Sequence, residues 1–181
     1  MRKVLLIGCG GAGKSTLARR IAARTGLPLI HLDQCFWRPG WIETPRDVWS
    51  QTVAELIRND AWVMDGNYGG SLDVRLAACD IVIFLDVSPF RCFWRLVRRR
   101  VRFHGKSRPD ISPGCSERLD LKFLAWILAY RRTSRPAVME KLNVAAERGK
   151  RVWILNSPSA VEDFMRRCDW SIFGSFDTLR E

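Results

Sequence analysis

Apolar residues gather in five short runs, at positions 3–7, 28–32, 61–64, 81–85 and 151–155. Each run is continuous rather than alternating, the pattern of a strand covered on both faces. Between the runs, apolar positions recur at helical spacing. Residues 16–25 set Leu17, Ala18, Ile21 and Ala22 on one stripe. Residues 45–58 follow Thr44 with Pro45, the expected first helical residue, and Asp47 three residues after the cap. Ser88-Pro89 opens a third helix, and Gly149 closes the last long one before the fifth run. The longest apolar run, 123–130, predicts a buried helix. This alternation predicts an α/β fold, a parallel sheet between helix layers joined by right-handed crossovers. Only positions 103–116 break both periodicities, and they are expected to form a flap.

Composition narrows the class. With 181 residues, 47% of them apolar, the chain suits one domain with a substantial core. No run approaches the roughly 18 apolar residues of a membrane span, and no membrane partner is expected. Six cysteines without a C-x-x-C pair give neither a zinc ribbon nor a redox motif, which fits reduced thiols in a cytoplasmic protein. Lys14 and the glycines before it interrupt the apolar start too early for a signal peptide. The formal charge of +11 is unevenly spread. Between Asp86 and Asp110 stand eight basic residues and no acid. Such a run is ordinarily a solvated helix face; arginine dominance, 24 to 6 over lysine, suits phosphate contacts as well.

The chemistry begins after the first predicted strand. Gly8-Cys9-Gly10-Gly11-Ala12-Gly13-Lys14-Ser15 is a complete G-x-x-x-x-G-K-S, followed by Thr16 and an amphipathic helix. Glycines let backbone N–H groups converge on phosphate oxygens, the helix start adds its positive dipole end, and Lys14 places a cation near the β and γ phosphates. These residues are expected to bind ATP, with the Ser15 hydroxyl on Mg²⁺. Cys9 reads as a tolerated small side chain. A second metal-handling oxygen should come from a strand end, and both Asp65 and Asp86 follow apolar runs. Asp65 leads into Gly66-Asn67-Tyr68-Gly69-Gly70, an opening to a site, whereas Asp86 leads into Val87-Ser88-Pro89, where it reads as a cap or turn residue. Asp65 is therefore the expected Mg²⁺ or water ligand.

Together these features resemble the nucleoside monophosphate kinase group of P-loop proteins, adenylate kinase above all. The segments from His31-Leu32-Asp33 to Phe36-Trp37 and on to Trp41, from Met64 to Gly70, Arg108-Pro109-Asp110 and Gly114-Cys115 are more specifically similar to the bacterial DNA topology modulation proteins. The resemblance spans residues 2 to about 165. It implies a three-layer α/β/α fold with five parallel strands in the order 2-3-1-4-5, which sets Asp65 beside the cradle. It implies that Arg95 packs on adenine and Arg99 touches phosphate, that a lid at about 103–118 carries Arg108 and Arg118, and that the loop at Ser157 borders adenine. For Ser157 a helix cap is an equal reading.

Departures from adenylate kinase matter for the acceptor. The arginine of its D-G-F-P-R segment is absent here, where Asn67-Tyr68 stand instead. Asp33 is similar to the carboxylate that receives the hydroxyl proton in nucleoside and small-molecule kinases, a role that positions the nucleophile. Phe36, Trp37, Asn67 and Tyr68 are the accompanying acceptor-pocket candidates, although the aromatics suit sheet-edge packing equally. His31 reads as a satisfied strand-end histidine, and Arg131, Arg132 and Arg135 as a basic cluster facing an acceptor or an acidic surface. The sequence thus predicts an ATP- and Mg²⁺-dependent phosphotransferase with a small-molecule or nucleotide acceptor. The alternative is an ATP-binding, nucleic-acid-associated regulator with no base-reading motif. A GTPase is disfavoured, since neither D-x-x-G nor a late N-K-x-D occurs.

Overall fold

The computed structural model describes residues 1–103, 110–116 and 120–173. The chain runs β1 (Lys3–Gly8), α1 (Lys14–Thr25), β2 (Leu29–His31), α2 (Leu32–Phe36), β3 (Trp37–Arg38), β4 (Ile42–Glu43), α3 (Arg46–Arg58), β5 (Trp62–Asp65), α4 (Leu72–Ala78), β6 (Ile81–Leu85), α5 (Pro89–Arg102), α6 (Leu121–Thr133), α7 (Arg135–Glu147), β7 (Arg151–Leu155) and α8 (Pro158–Arg167). Short 3₁₀ turns occupy Gly69–Ser71 and Trp170–Phe173. The main sheet is parallel with order β2-β5-β1-β6-β7. Counting its five strands in chain order, this is the expected 2-3-1-4-5.

The register brings the chemistry to one edge. Asp65 pairs laterally with both His31 and Leu6, so β2 and β5 finish level, and β1 and β6 run two residues farther to finish level where Gly8 pairs with Leu85. In a parallel sheet whose order reverses about β1, this crevice is where ligands bind. Packing holds it there. β1, β5 and β6 are buried throughout except at Lys3, as continuous apolar runs require. Helices α3, α4, α7, α6 and α5 contact one another in series. Arg20 on α1 donates to both carboxylate oxygens of Glu162 on α8, at 2.6 and 2.8 Å.

The structure departs from the sequence reading in four places. β7 is an edge strand whose Trp153 and Ile154 remain exposed, so its apolar run is not covered on both faces. Pro45 is the residue before α3, with ψ 144°, rather than its first residue, and the Thr44 hydroxyl donates to the Phe36 carbonyl at 2.6 Å instead of capping. Helix α6 buries only Leu124, Ile127 and Tyr130 of its apolar run, the one stripe that faces the core, and leaves Phe123 and Leu128 exposed. Finally, residues 37–43 form the antiparallel β3–β4 hairpin, which no alternation announced. Of the expected lid, residues 104–109 and 117–119 lie outside the described residues, and Arg108 and Arg118 with them. Among the described residues no helix is long and apolar enough to cross a membrane.

Candidate active site

Residues 8–15 curl between β1 and α1. Gly11 and Gly13 take left-handed backbone angles, φ 78° and 102°, and Gly13 stands immediately before α1. At Gly11 only hydrogen fits, because an added Cβ would lie 2.5 Å from the Cys92 carbonyl oxygen on α5. At Gly10 it would lie 2.5 Å from the Phe123 ring on α6. The loop is thus seated on two helices from the far half of the chain. Arg95 of α5 adds a strut, its Nη1 donating to the Ala12 carbonyl at 2.9 Å. This contact ties Arg95 to the loop backbone rather than presenting it solely to a base. The Lys14 ammonium donates to the carbonyls of Gly8 and Cys9, both at 3.0 Å.

Below the loop the Cys9 thiol is buried. Its hydrogen bond with Cys92, then burial itself, push it well above the usual thiol range. A thiol held protonated is a poor nucleophile, in keeping with the reading of Cys9 as a small filler.

A cavity of about 840 Å³ opens above the cradle. Gly10 to Thr16 form its floor, and Arg95, Arg99 and Arg102 line one side, with Ser157 at the α8 end. The Ser157 hydroxyl accepts from the Ala160 N–H at 3.1 Å, so it caps α8 while its residue borders the cavity. Asp33, Trp37, Trp41, Asp65, Asn67 and Tyr68 line the opposite wall. Phe36 does not reach this surface. It packs behind, with ring centroids 4.9 Å from Trp37, 5.1 Å from Trp49 and 4.8 Å from Tyr68. The five-residue α2 turns its side chain inward, and Trp37 and Trp41 take the wall.

Two carboxylates are held in different ways. Asp65 is buried at the end of β5, its Oδ1 2.6 Å from His31 Nδ1, which satisfies the histidine as expected. Asp33 sits in the first turn of α2, and the Tyr68 hydroxyl donates to its Oδ1 at 2.7 Å. Burial, then the charge of Asp33, push the Tyr68 phenol far above its ordinary value, so it remains a donor. The Asp86 reading needs correction. This residue makes no cap; its carboxylate accepts three bonds from Arg135, at 2.8 to 3.0 Å, which removes Arg135 from the basic cluster expected to face an acceptor.

Sequence reasoning missed the residue that holds the acceptor-side loop. Arg75 on α4 is fully buried and, among the described residues, has no carboxylate partner. Its guanidinium donates to the carbonyls of Ser71, Gly66 and Tyr68 at 3.2, 3.1 and 2.6 Å. Burial lowers its pKa to about 10. An arginine in a helix ordinarily reads as exposed, and nothing in its spacing indicates otherwise. Trp126 on α6, likewise unremarked, also lines the cavity.

No protein-family model matches the chain, and no curated protein sequence does. Among solved structures it is similar to shikimate kinase from Bacteroides thetaiotaomicron, 19% identical with a TM-score of 0.51 over 91% of this chain and 94% of that one. It is also similar to shikimate kinase from Acinetobacter baumannii in complex with shikimate, 19% identical with a TM-score of 0.58 over 92% and 89%. At such identities the likeness establishes the fold alone, a five-stranded parallel sheet flanked by helices. It does not show the DNA topology modulation family.

Proposed function

We propose that the protein is an ATP-dependent kinase that phosphorylates a hydroxyl of a small molecule. The observation that carries this reading is that the phosphate cradle and the Tyr68-held Asp33 line one and the same cavity. A carboxylate held ready for a proton serves an attacking hydroxyl, in this reading the acceptor's. The kinase fold of the solved neighbours supports the same class, and nothing in them supports the nucleic-acid alternative.

In this reading the N–H groups of Gly10 to Ser15 hold the phosphates, and Lys14 turns from the Gly8 and Cys9 carbonyls to the outer phosphate oxygens. Thr16 follows on the first turn of α1, and Arg95, Arg99 and Ser157 complete the donor side. Asp33 accepts the proton of the attacking hydroxyl while Tyr68 fixes its orientation; Asn67, Trp37 and Trp41 wall the acceptor. The segment at about 103–118, with Arg108 and Arg118, is proposed as the lid that excludes water. The Ser15 hydroxyl and the Asp65 carboxylate border the same cavity, and two such protein oxygens suit Mg²⁺, which completes its shell with phosphate and water. When bound there, Mg²⁺ would offset phosphate charge.

The test is phosphotransfer from labelled ATP across nucleosides, nucleoside monophosphates, polyols and hydroxy acids, with Lys14→Ala as the control. Transfer to one class, lost by about 100-fold or more in the variant, bears the reading out. ATP consumption with no acceptor labelled, or turnover indifferent to Lys14, rejects it.

A further inference from the structure

Helix α5 has two apolar faces. One, at Cys92 and Leu96, is buried beneath the P-loop. On the other, Phe90, Trp94 and Val101 fall at i, i+4 and i+11, one stripe about 16 Å long, and are 78%, 62% and 75% exposed. Helix α6, which packs beside α5, adds Leu121 and Leu128, 80% and 45% exposed and seven residues apart on one face. Solitary exposed apolar side chains are commonplace, but a row of them on each of two adjacent helices is not. The charged residues within the two helices share one sign, and the carboxylate beside them, Asp120, is engaged in capping α6 through the Lys122 and Phe123 N–H groups. Arg91, Arg98 and Arg102 on α5, and Lys122, Arg131 and Arg132 on α6, are exposed, and neither helix carries a carboxylate.

We infer that this α5–α6 face docks on an anionic lipid bilayer surface. Charge and shape select that occupant. A second copy would bring the same cations face to face, an isologous contact with like charges opposed. A nucleic acid offers stacking to Phe90 and Trp94, yet leaves Val101, Leu121 and Leu128 against phosphate and water, because aliphatic chains have no ring to stack. A bilayer interface accommodates every group. Trp and Phe settle at headgroup level, the aliphatic side chains reach the acyl boundary, and arginines pair with anionic headgroups while their stems lie along apolar surface. Such docking is peripheral, without a membrane span. It revises the expectation of no membrane partner, and it does not depend on the proposed reaction, since Phe90 and Trp94 lie outside the cavity lining.

The experiment is co-sedimentation of the full chain with vesicles of phosphatidylcholine alone or mixed with phosphatidylglycerol. The protein should pellet with the mixed vesicles only. Phe90→Ser/Trp94→Ser should weaken pelleting by about tenfold or more, and Arg91→Gln/Arg98→Gln should weaken it in a salt-dependent way. Val101→Ser/Leu121→Ser provides a second apolar variant, and ATP binding and melting temperature report that each variant is folded. Absence of pelleting with wild type overturns the inference, as does pelleting that both apolar pairs leave unchanged. A dimer in sedimentation equilibrium that Phe90→Ser/Trp94→Ser dissociates, or oligonucleotide binding that the same pair abolishes while lipid binding persists, overturns it equally.

Discussion

The chain contains two tyrosines, Tyr68 and Tyr130, and the fold holds both phenols above their ordinary range. For Tyr68 burial dominates, followed by the Asp33 charge. For Tyr130 burial dominates, followed by Cys9 and Asp86, and its hydroxyl is sealed with no hydrogen-bond partner among the described residues. Raising the pH therefore acts on the unfolded chain first. Unfolded tyrosine ionises near pH 10, whereas the native phenols keep their protons. The native state then binds more protons than the unfolded one, so stability present below pH 10 is lost as the pH rises. Each phenol contributes a loss approaching about 1.4 kcal/mol per pH unit, and the pair together amounts to roughly 3 kcal/mol by pH 11. That is a large part of an ordinary 5 to 15 kcal/mol stability, yet short of all of it. Tyrosinate absorbance should accordingly stay flat through pH 10 to 11 in native protein, rise for two residues on alkaline unfolding, and titrate normally in urea. The raised thiols of Cys9, Cys35, Cys79 and Cys168 add their own alkaline loss, so Tyr68→Phe should remove about half of the tyrosine share, roughly 1.4 kcal/mol at pH 11 in urea melts. A native titration near pH 10 would mean that Tyr68 is solvated, and the hydrogen bond that orients Asp33 would then fall from the argument.

Asp33→Asn keeps the shape of the acceptor wall but removes the proton-accepting charge; transfer should fall about 100- to 10,000-fold while ATP affinity in calorimetry stays within twofold, roughly the size of experimental context effects. Equal loss of both would make Asp33 structural. For Arg75→Met, three charged hydrogen bonds at about 1.5 to 3 kcal/mol each are opposed by roughly 3 kcal/mol of burial cost, taken from a pKa lowered to about 10 at about 1.4 kcal/mol per unit. The expected net destabilisation is about 3 kcal/mol, or roughly 6 to 12 °C in melting temperature for a chain of this size, and a shift under 1 °C would show that the loop holds its shape unaided. Gly11→Ala drives a Cβ to 2.5 Å from the Cys92 carbonyl at a left-handed residue, and should cost about 2 to 4 kcal/mol in urea melts together with ATP binding. Normal ATP affinity in that variant would place the loop away from α5.

Local signals reported local structure well. All five main strands and the cradle were legible because a continuous apolar run and a glycine-rich turn are properties of adjacent residues. That Asp65 rather than Asp86 borders the cavity was equally readable, since the glycines after it mark an opening. What stayed hidden was set by contacts between distant residues. Arg75 is buried through carbonyls of the preceding loop, and backbone acceptors carry no sequence signature. Asp86 and Arg135 are 49 residues apart, so both looked like surface charge. The β3–β4 hairpin escaped because its strands are two residues each, with Trp41 itself left-handed at φ 64° and its indole N–H donating to the Ser116 carbonyl at 2.8 Å.

The same division explains why the cradle is necessary to the site yet insufficient to define it. Its eight residues supply donors, but their curvature is enforced by Phe123, Cys92 and Arg95, which arrive from α6 and α5. On the facing wall, Asp33 is oriented by Tyr68, and Tyr68 by Arg75, a chain of contacts spanning α2, the loop after β5 and α4. In the proposed reading, ATP recognition rests on backbone geometry, which tolerates little change at Gly11. Acceptor recognition, in the same reading, rests on side chains hung from a hairpin and a loop, which substitution at Trp37, Trp41 or Asn67 can reshape without touching the sheet.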